Sequence, residues 1–422
     1  MRCYPIFDPF DMNPWLLCDR DGEREGLKGA LSAWLQASCD GSVGGQTWAI
    51  TGGKGVGKSI LTRAILRDLK EAHSAGVLFA TVDCRRARSW REVLALVAAE
   101  LVRELGDLQR VGLALPPGAL DTARVVSTLS ALDAAQLKEA HERVRQFKAA
   151  ASMGGAVHKL LSAEFDISVE RSEREIRALE GAVTFDEHRL GRLIEALFRD
   201  LRSASLACVL YLDNVDELDH DYHDAEARRR VRREVEGILK LRDAPVGLVL
   251  NLRSYFMGVL PREANAPIPL RSLPAAELVA ILERRLSAER PEIRVVFESD
   301  ATKAAVALLA ERAPSPLVFL QVVRELAQDG SLEETKLAVG LRRLVAAIFT
   351  PVADRDLQAA LGAFPRPDAE IPRADLLGAC GSEAVLRQLE DCQVVLPKDF
   401  WNPNHYTLDP LLQLVHPRAG RP

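Results

Sequence analysis

The sequence predicts an α/β fold, a parallel sheet covered by helices, with a mainly helical second half. Three observations predict it. Short apolar runs at residues 77–82, 207–212 and 246–250 alternate with segments of helical period, as strands buried on both faces do. A glycine-rich turn at 52–59 follows a β-prone run directly. The 207–212 run ends in acids, beginning at Asp213.

Composition sets the outer bounds. The 422 residues are 48% hydrophobic and 27% charged, with a net charge of −5. At roughly 100–200 residues per domain the expectation is two to four domains. No overall basic excess points to nucleic acid, although a local patch could still bind it. No apolar run approaches the ~20 residues of a membrane span. Met1-Arg2-Cys3-Tyr4-Pro5 opens without an apolar signal region, so a cytoplasmic location is expected. The seven cysteines are scattered and none forms Cys-x-x-Cys, which reads as reduced thiols rather than a disulfide frame or zinc site.

Taken in order, residues 1–45 form a proline-rich lead followed by a helix from Asp21 to Leu35, where Leu27, Leu31, Trp34 and Leu35 fall at helical spacing. The first part of the core, 46–105, holds a strand at Thr47–Ile50, a helix over Ile60–Leu69, a strand at Val77–Val82 and a helix from Trp90 to Leu105. Residues 106–183 read as a charged helical insertion, broken at Pro116-Pro117-Gly118 and Gly154-Gly155. The core resumes over 184–273. Thr184 and Glu187 make a capping box for a helix running through Leu201, and strands follow at 207–212, 246–250 and 268–270, with an Arg-rich helix at 225–242. Residues 274–350 are helical in pattern. Residues 351–422 carry three helical segments and then a hairpin turning at Asn402-Pro403-Asn404.

The glycine turn carries the chemistry. Gly52, Gly53, Lys54, Gly55, Val56, Gly57, Lys58 and Ser59 match G-x-x-x-x-G-K-[ST]. Such a loop turns backbone N–H groups onto phosphate oxygens, the following helix adds its positive end, the lysine neutralises β- and γ-phosphates, and the serine ligates Mg²⁺. A β-prone run before the loop and an amphipathic helix after it are the context this P-loop needs. The sequence therefore predicts a P-loop NTPase core that takes ATP with Mg²⁺, the metal held by Ser59 and by Asp213 at the end of the neighbouring apolar run.

With those residues in place, the chain resembles the AAA+ and STAND ATPases, and within AAA+ the origin-recognition branch. Asp19-Arg20-Asp21-Gly22-Glu23 is similar to that branch's Gly-Arg-x-x-Glu box, with Asp19 in place of glycine. The resemblance covers roughly residues 15–345 outside the insertion and implies a helical lid at 274–350 and a C-terminal winged helix. It also marks departures. Where the branch places a glutamate base after the magnesium aspartate, this chain has Asn214, and an amide cannot take a proton as a carboxylate does. Asp216 or Glu217 could substitute, with Asp216 preferred; otherwise hydrolysis to ADP and phosphate is slow. Leu317, in Ala313-Pro314-Ser315-Pro316-Leu317, occupies the place of the lid's sensor arginine. Asn251 falls where AAA+ proteins carry a polar γ-phosphate sensor and Arg253 where STAND proteins carry a sensor arginine. Arg262 lies in the region of arginine fingers, which act in trans, and Arg271 is a further candidate.

Two features bear on partners. Arg228, Arg229, Arg230, Arg232 and Arg233 form a run that reads as a solvated salt-bridged face, a protein interface or a phosphate contact. Residues 351–422 carry seven Lys/Arg against ten Asp/Glu, a poor balance for gripping DNA. Phe400 and Trp401 at the hairpin tip are either a protein contact or buried packing. The expected function is a regulatory ATPase whose exchange of ATP for ADP switches partner binding or self-association. The alternatives are a DNA-binding ATPase of replication, transposition or remodelling, and a scaffold that binds ATP without hydrolysing it.

Overall fold

The computed structural model describes residues 20–39, 43–73, 76–131, 187–218, 225–260, 265, 267–287 and 294–416. Arg262, Thr184, Asp19 and insertion residues 132–183 lie outside these described residues.

Five parallel strands build the central sheet in the order β2-β3-β4-β1-β5. They are β1 (Gln46–Gly52), β2 (Val77–Asp83), β3 (Ala207–Asp213), β4 (Val246–Arg253) and β5 (Ile268–Leu270). Their apolar runs lack alternation because both faces are covered. Side chains still alternate between two cores, as the period of two requires. Trp48, Ile50, Phe79, Val209, Tyr211 and Val249 join Leu27, Leu31, Leu61 and Ile65 of α1 (Asp21–Cys39) and α2 (Lys58–Ala72) on one face. Leu78, Ala80, Cys208, Leu210, Leu248 and Leu250 pack against α3 (Trp90–Arg110), α4 (Ala119–Ala131), α5 (Glu187–Ser203) and α6 (Ala225–Leu239) on the other.

Two features differ from the sequence expectation. Helix α3 runs on past Leu105 to Arg110, and Ala119, Ala123 and Val126 of α4 are buried in the sheet's own core. The described start of the insertion is thus part of the core layer, because its apolar positions have the sheet-covering α3 and α5 to pack on. Strand β4 also extends past Leu250, carrying Asn251 and Arg253 within the ladder opposite Ile50 and Gly52.

The second half continues with α7 (Ala275–Ser287), α8 (Asp300–Arg312), α9 (Pro316–Gln328) and α10 (Leu337–Ile348). It closes with α11 (Asp354–Ala363), α12 (Arg373–Cys380), α13 (Glu383–Asp391) and α14 (Pro410–Val415), around a small antiparallel sheet ordered β6-β8-β7. Its strands are β6 (Ile371–Pro372), β7 (Val395–Pro397) and β8 (His405–Leu408). One apolar core runs from Leu273 to Leu414, so the four-helix stretch and the C-terminal unit share their interior.

The tip of the β7–β8 hairpin is packed on the sheet domain. The Phe400 N–H donates to the Tyr255 carbonyl at 3.0 Å and Trp401 Nε1–H to the Phe256 carbonyl at 3.3 Å. Phe400 is 2% exposed and stacks on Tyr255, with ring centroids 6.2 Å apart. Arg232, on the Arg-rich α6, sits over the Trp401 ring. Of the two sequence readings of this tip, the structure gives buried packing.

Candidate functional site

The carboxyl ends of β1, β2, β3 and β4 share one edge of the sheet, where open α/β folds place their ligands. Gly57 takes a left-handed φ of 100° and caps α2, leaving the helix N-terminus open above the loop. Gly55, at φ 79°, carries a second left-handed bend. A Cβ on Gly55 would lie 2.4 Å from Leu317 Cβ, so the loop and the start of α9 meet only because the residue is glycine. There Ser315 caps α9, Pro316 occupies its first turn, and the Leu317 N–H donates to the Gly55 carbonyl at 3.2 Å. The proline stretch, where Leu317 stands in the place of a sensor arginine, therefore seats α9 on the loop through backbone.

Lys58 folds back over the loop, its ammonium donating to the carbonyls of Gly52 at 3.1 Å and Gly53 at 2.9 Å. Burial pushes its pKa down to about 8; Arg253 adds to this, while Asp216, Asp213 and Glu217 pull against it. A bound polyphosphate would favour the charged form, so binding requires a proton that the free site loses above that pH. ATP affinity should weaken about tenfold from pH 7 to pH 9, and Lys58→Ala should flatten that slope. Titration of a fluorescent ATP analogue across this range checks it.

Asp213, 1% exposed, accepts from Ser59 Oγ at 2.9 Å and from Asn251 Nδ2 at 3.1 Å. Asn251 is held in turn: Nδ2 also donates to the Tyr211 hydroxyl at 2.5 Å, and Oδ1 accepts from Thr62 at 3.1 Å. Asn251 therefore orients the aspartate from behind while lining the cavity. A serine hydroxyl beside a carboxylate is a hard-oxygen pair that fits Mg²⁺. Among the described residues no group of three or more His, Cys, Asp or Glu is arranged for a metal. These two residues could hold the ion, and phosphate and water would complete the shell, as is usual for it.

The remaining charges form a second cluster. Arg253 pairs with Glu217, and its Nε lies 3.0 Å from Asp216 Oδ2. The Arg253 N–H donates to Asp216 Oδ1 at 3.3 Å, and Nη1 donates to the Tyr255 hydroxyl at 3.3 Å. Burial raises the Asp216 carboxyl above its ordinary value, partly offset by Arg253 and Lys58. Asp216 thus serves as counter-ion to Arg253 in this arrangement, whereas the sequence assigned it to the water. Asn214, at φ 57°, turns its amide across to β2 and donates to Asp83 Oδ1 at 3.0 Å. Burial would raise the Asp83 carboxyl, but hydrogen bonds from Arg85 and Asn214 outweigh this and hold it below the ordinary value.

The cavity continues into an apolar recess lined by Val56, Leu273, Ile281, Leu317 and Leu320. Arg20 closes one side, donating to the Val56 carbonyl at 3.1 Å, the Arg271 carbonyl at 2.5 Å and Glu23 at 3.1 Å. The Arg20-x-x-Glu23 box is thereby placed against the loop; Arg271 contributes its backbone, and its side chain is exposed. Lys54 is exposed at the mouth, 3.4 Å from Gln393 of the C-terminal unit. The sequence reading missed Tyr211, Thr62, Asp83 and Arg85, and also Arg285 of α7, which is 2% exposed and lines the cavity. None sits in a motif. Their only sequence signal is a polar residue at the end of an apolar run or on a helix's inner face.

The chain has the fold of a P-loop NTPase. No protein-family model and no curated protein matches it. Solved structures are similar over nearly its whole length. The ADP form of the Aeropyrum pernix ORC2 protein is 14% identical, covering 96% of this chain and 93% of that one, with a TM-score of 0.48. The Aeropyrum pernix ORC1 protein in complex with DNA is 13% identical over 98% and 95%, with a TM-score of 0.46. The Thermotoga maritima RuvB Holliday junction branch migration motor is 13% identical over 91% of each, with a TM-score of 0.34. The fold statement rests on the sheet order and the loop.

Proposed function

We propose that the protein is an ATP-binding regulatory ATPase of the AAA+/STAND kind, working as a nucleotide-dependent switch on a protein partner or on its own assembly. Lys58 and the N–H groups of the loop would bind the β- and γ-phosphates, and the apolar recess beside Arg20 would take the base. Ser59 and Asp213 would hold Mg²⁺, which when bound draws phosphate charge and fixes the triphosphate's orientation.

One observation carries the switch. Arg253 faces the phosphate loop, is balanced by Asp216 and Glu217, and bonds Tyr255, the residue on which Phe400 of the hairpin tip stacks. A γ-phosphate in this cavity would compete with those two carboxylates for the guanidinium, and ADP brings no such group. ATP and ADP therefore differ in their contacts with a residue wired to the C-terminal unit, which is what a population shift requires. That unit, read as a winged helix, has its wing tip buried on the core, which favours switching over duplex reading. Hydrogen–deuterium exchange of the full chain tests this. Residues 255–260 and 395–408 should exchange differently in ATP and ADP. Identical exchange in both nucleotides overturns the switch. Duplex affinity that falls steeply with salt would favour the DNA-binding alternative instead.

A further inference from the structure

Water attack on a γ-phosphate needs a carboxylate that is ionised, reachable and close to the carboxylate serving the metal. Four carboxylates among the described residues stand at this edge of the sheet. Asp213 is committed to Ser59 and Asn251. Asp216 and Glu217 are committed to Arg253, and Asp216 is 8% exposed. Asp83 remains. It ends β2 directly opposite Asp213 in the parallel register, about one strand spacing of 4.8 Å away. Its side chain is 22% exposed, as is that of Glu217, against 2% for Asp213 and 4% for Asp216; of the two more exposed acids, Asp83 is the one in register beside Asp213.

We propose that Asp83 is the general base of this site and that Asn214 is its positioning residue. The inference rests on the ATPase reading above. The amide and carboxylate form a pair across two strands, Asn214 Nδ2 donating to Asp83 Oδ1 at 3.0 Å. Asn214 therefore supplies no base where one was expected; it hands the role to the adjacent strand. Its left-handed backbone turns the side chain that way. Arg85 covers the carboxylate, donating to both oxygens, with Nη2 2.6 Å from Oδ2. Arg85 is 53% exposed and lines the nucleotide cavity, so a triphosphate offers it a second anion and uncovers Asp83. In the step itself the water oxygen bonds the γ-phosphorus as the bond from that phosphorus to the β,γ-bridging oxygen breaks. Asp83 takes the water proton, ADP leaves with the bridging oxygen, and phosphate follows.

Asp83→Asn separates charge from structure, because asparagine caps the 84–86 turn as well as aspartate does. The readouts are phosphate release and fluorescent-ATP affinity of the full chain. D83N should lower turnover about 100-fold, within the range for loss of a general base, with ATP affinity within threefold of the parent. The exchanged pair D83N/N214D, which returns a carboxylate to the site from the other strand, should regain at least about tenfold of that loss. D83N turning over within threefold of the parent overturns the proposal. So does a double variant no faster than D83N, or a parent chain that binds ATP and releases no phosphate. A parent chain that fails to bind ATP overturns the ATPase reading itself.

Discussion

Replacing Lys58 with alanine should weaken ATP binding by roughly 10- to 150-fold, the cost of losing a charge-assisted contact of about 1.5–3 kcal/mol. The lysine is placed for that contact. Its ammonium is tied to the Gly52 and Gly53 carbonyls, which fixes its height over the loop without neutralising it. The cost of burying the charge is already visible in its lowered pKa, and a phosphate would repay that cost. Lys58→Arg should not rescue, since a branched, longer guanidinium cannot take the same place between two backbone carbonyls. Nucleotide titration of all three proteins decides it. Unchanged affinity in Lys58→Ala would sink the nucleotide assignment.

How legible this site was depends on where each interaction closes. The loop is local: Gly55 and Gly57 need left-handed backbone, Lys58 and Ser59 follow on the helix, and the whole device fits in eight residues of sequence. Asp213 was legible for a similar reason, as the acid that ends a fully buried run. The five strands were legible because a sheet covered on both faces leaves unbroken apolar stretches. What the sequence did not display closes across long loops. Arg253 meets Asp216 and Glu217 only because β3 and β4 are neighbours in the sheet. Asp83 meets Asn214 across 131 positions. The sequence placed Asp213 at the end of its strand, ended β4 before Asn251, and could not say which acid faced a cation and which faced an amide. Helix α3 passes its expected end despite Gly106 because the packing partner that keeps it going, α4, lies further along the chain.

The hairpin tip supplies the other large effect. Phe400→Ala should destabilise the docked C-terminal unit by about 3–5 kcal/mol, the range for emptying a buried phenylalanine site. The ring is packed against Tyr255 and Phe256, and the tip is pinned by the Phe400 N–H on the Tyr255 carbonyl and the Trp401 Nε1–H on the Phe256 carbonyl, so the cavity has little room to collapse. Faster proteolysis at residues 395–405 and a lower unfolding midpoint should report the loss. Trp401→Ala should cost less, because that ring is only partly buried and Arg232 covers it from the solvent side. The variant also reaches the nucleotide. Tyr255 bonds Arg253, so if the phosphates act on the tip through that arginine, the tip must act on the phosphates by the same free energy. Phe400→Ala should then change the ratio of ATP to ADP affinity, with both nucleotides still bound through Lys58. A variant whose tip is released by proteolysis and whose affinity ratio is that of the parent would break the link at Tyr255, leaving the hairpin contact as packing alone.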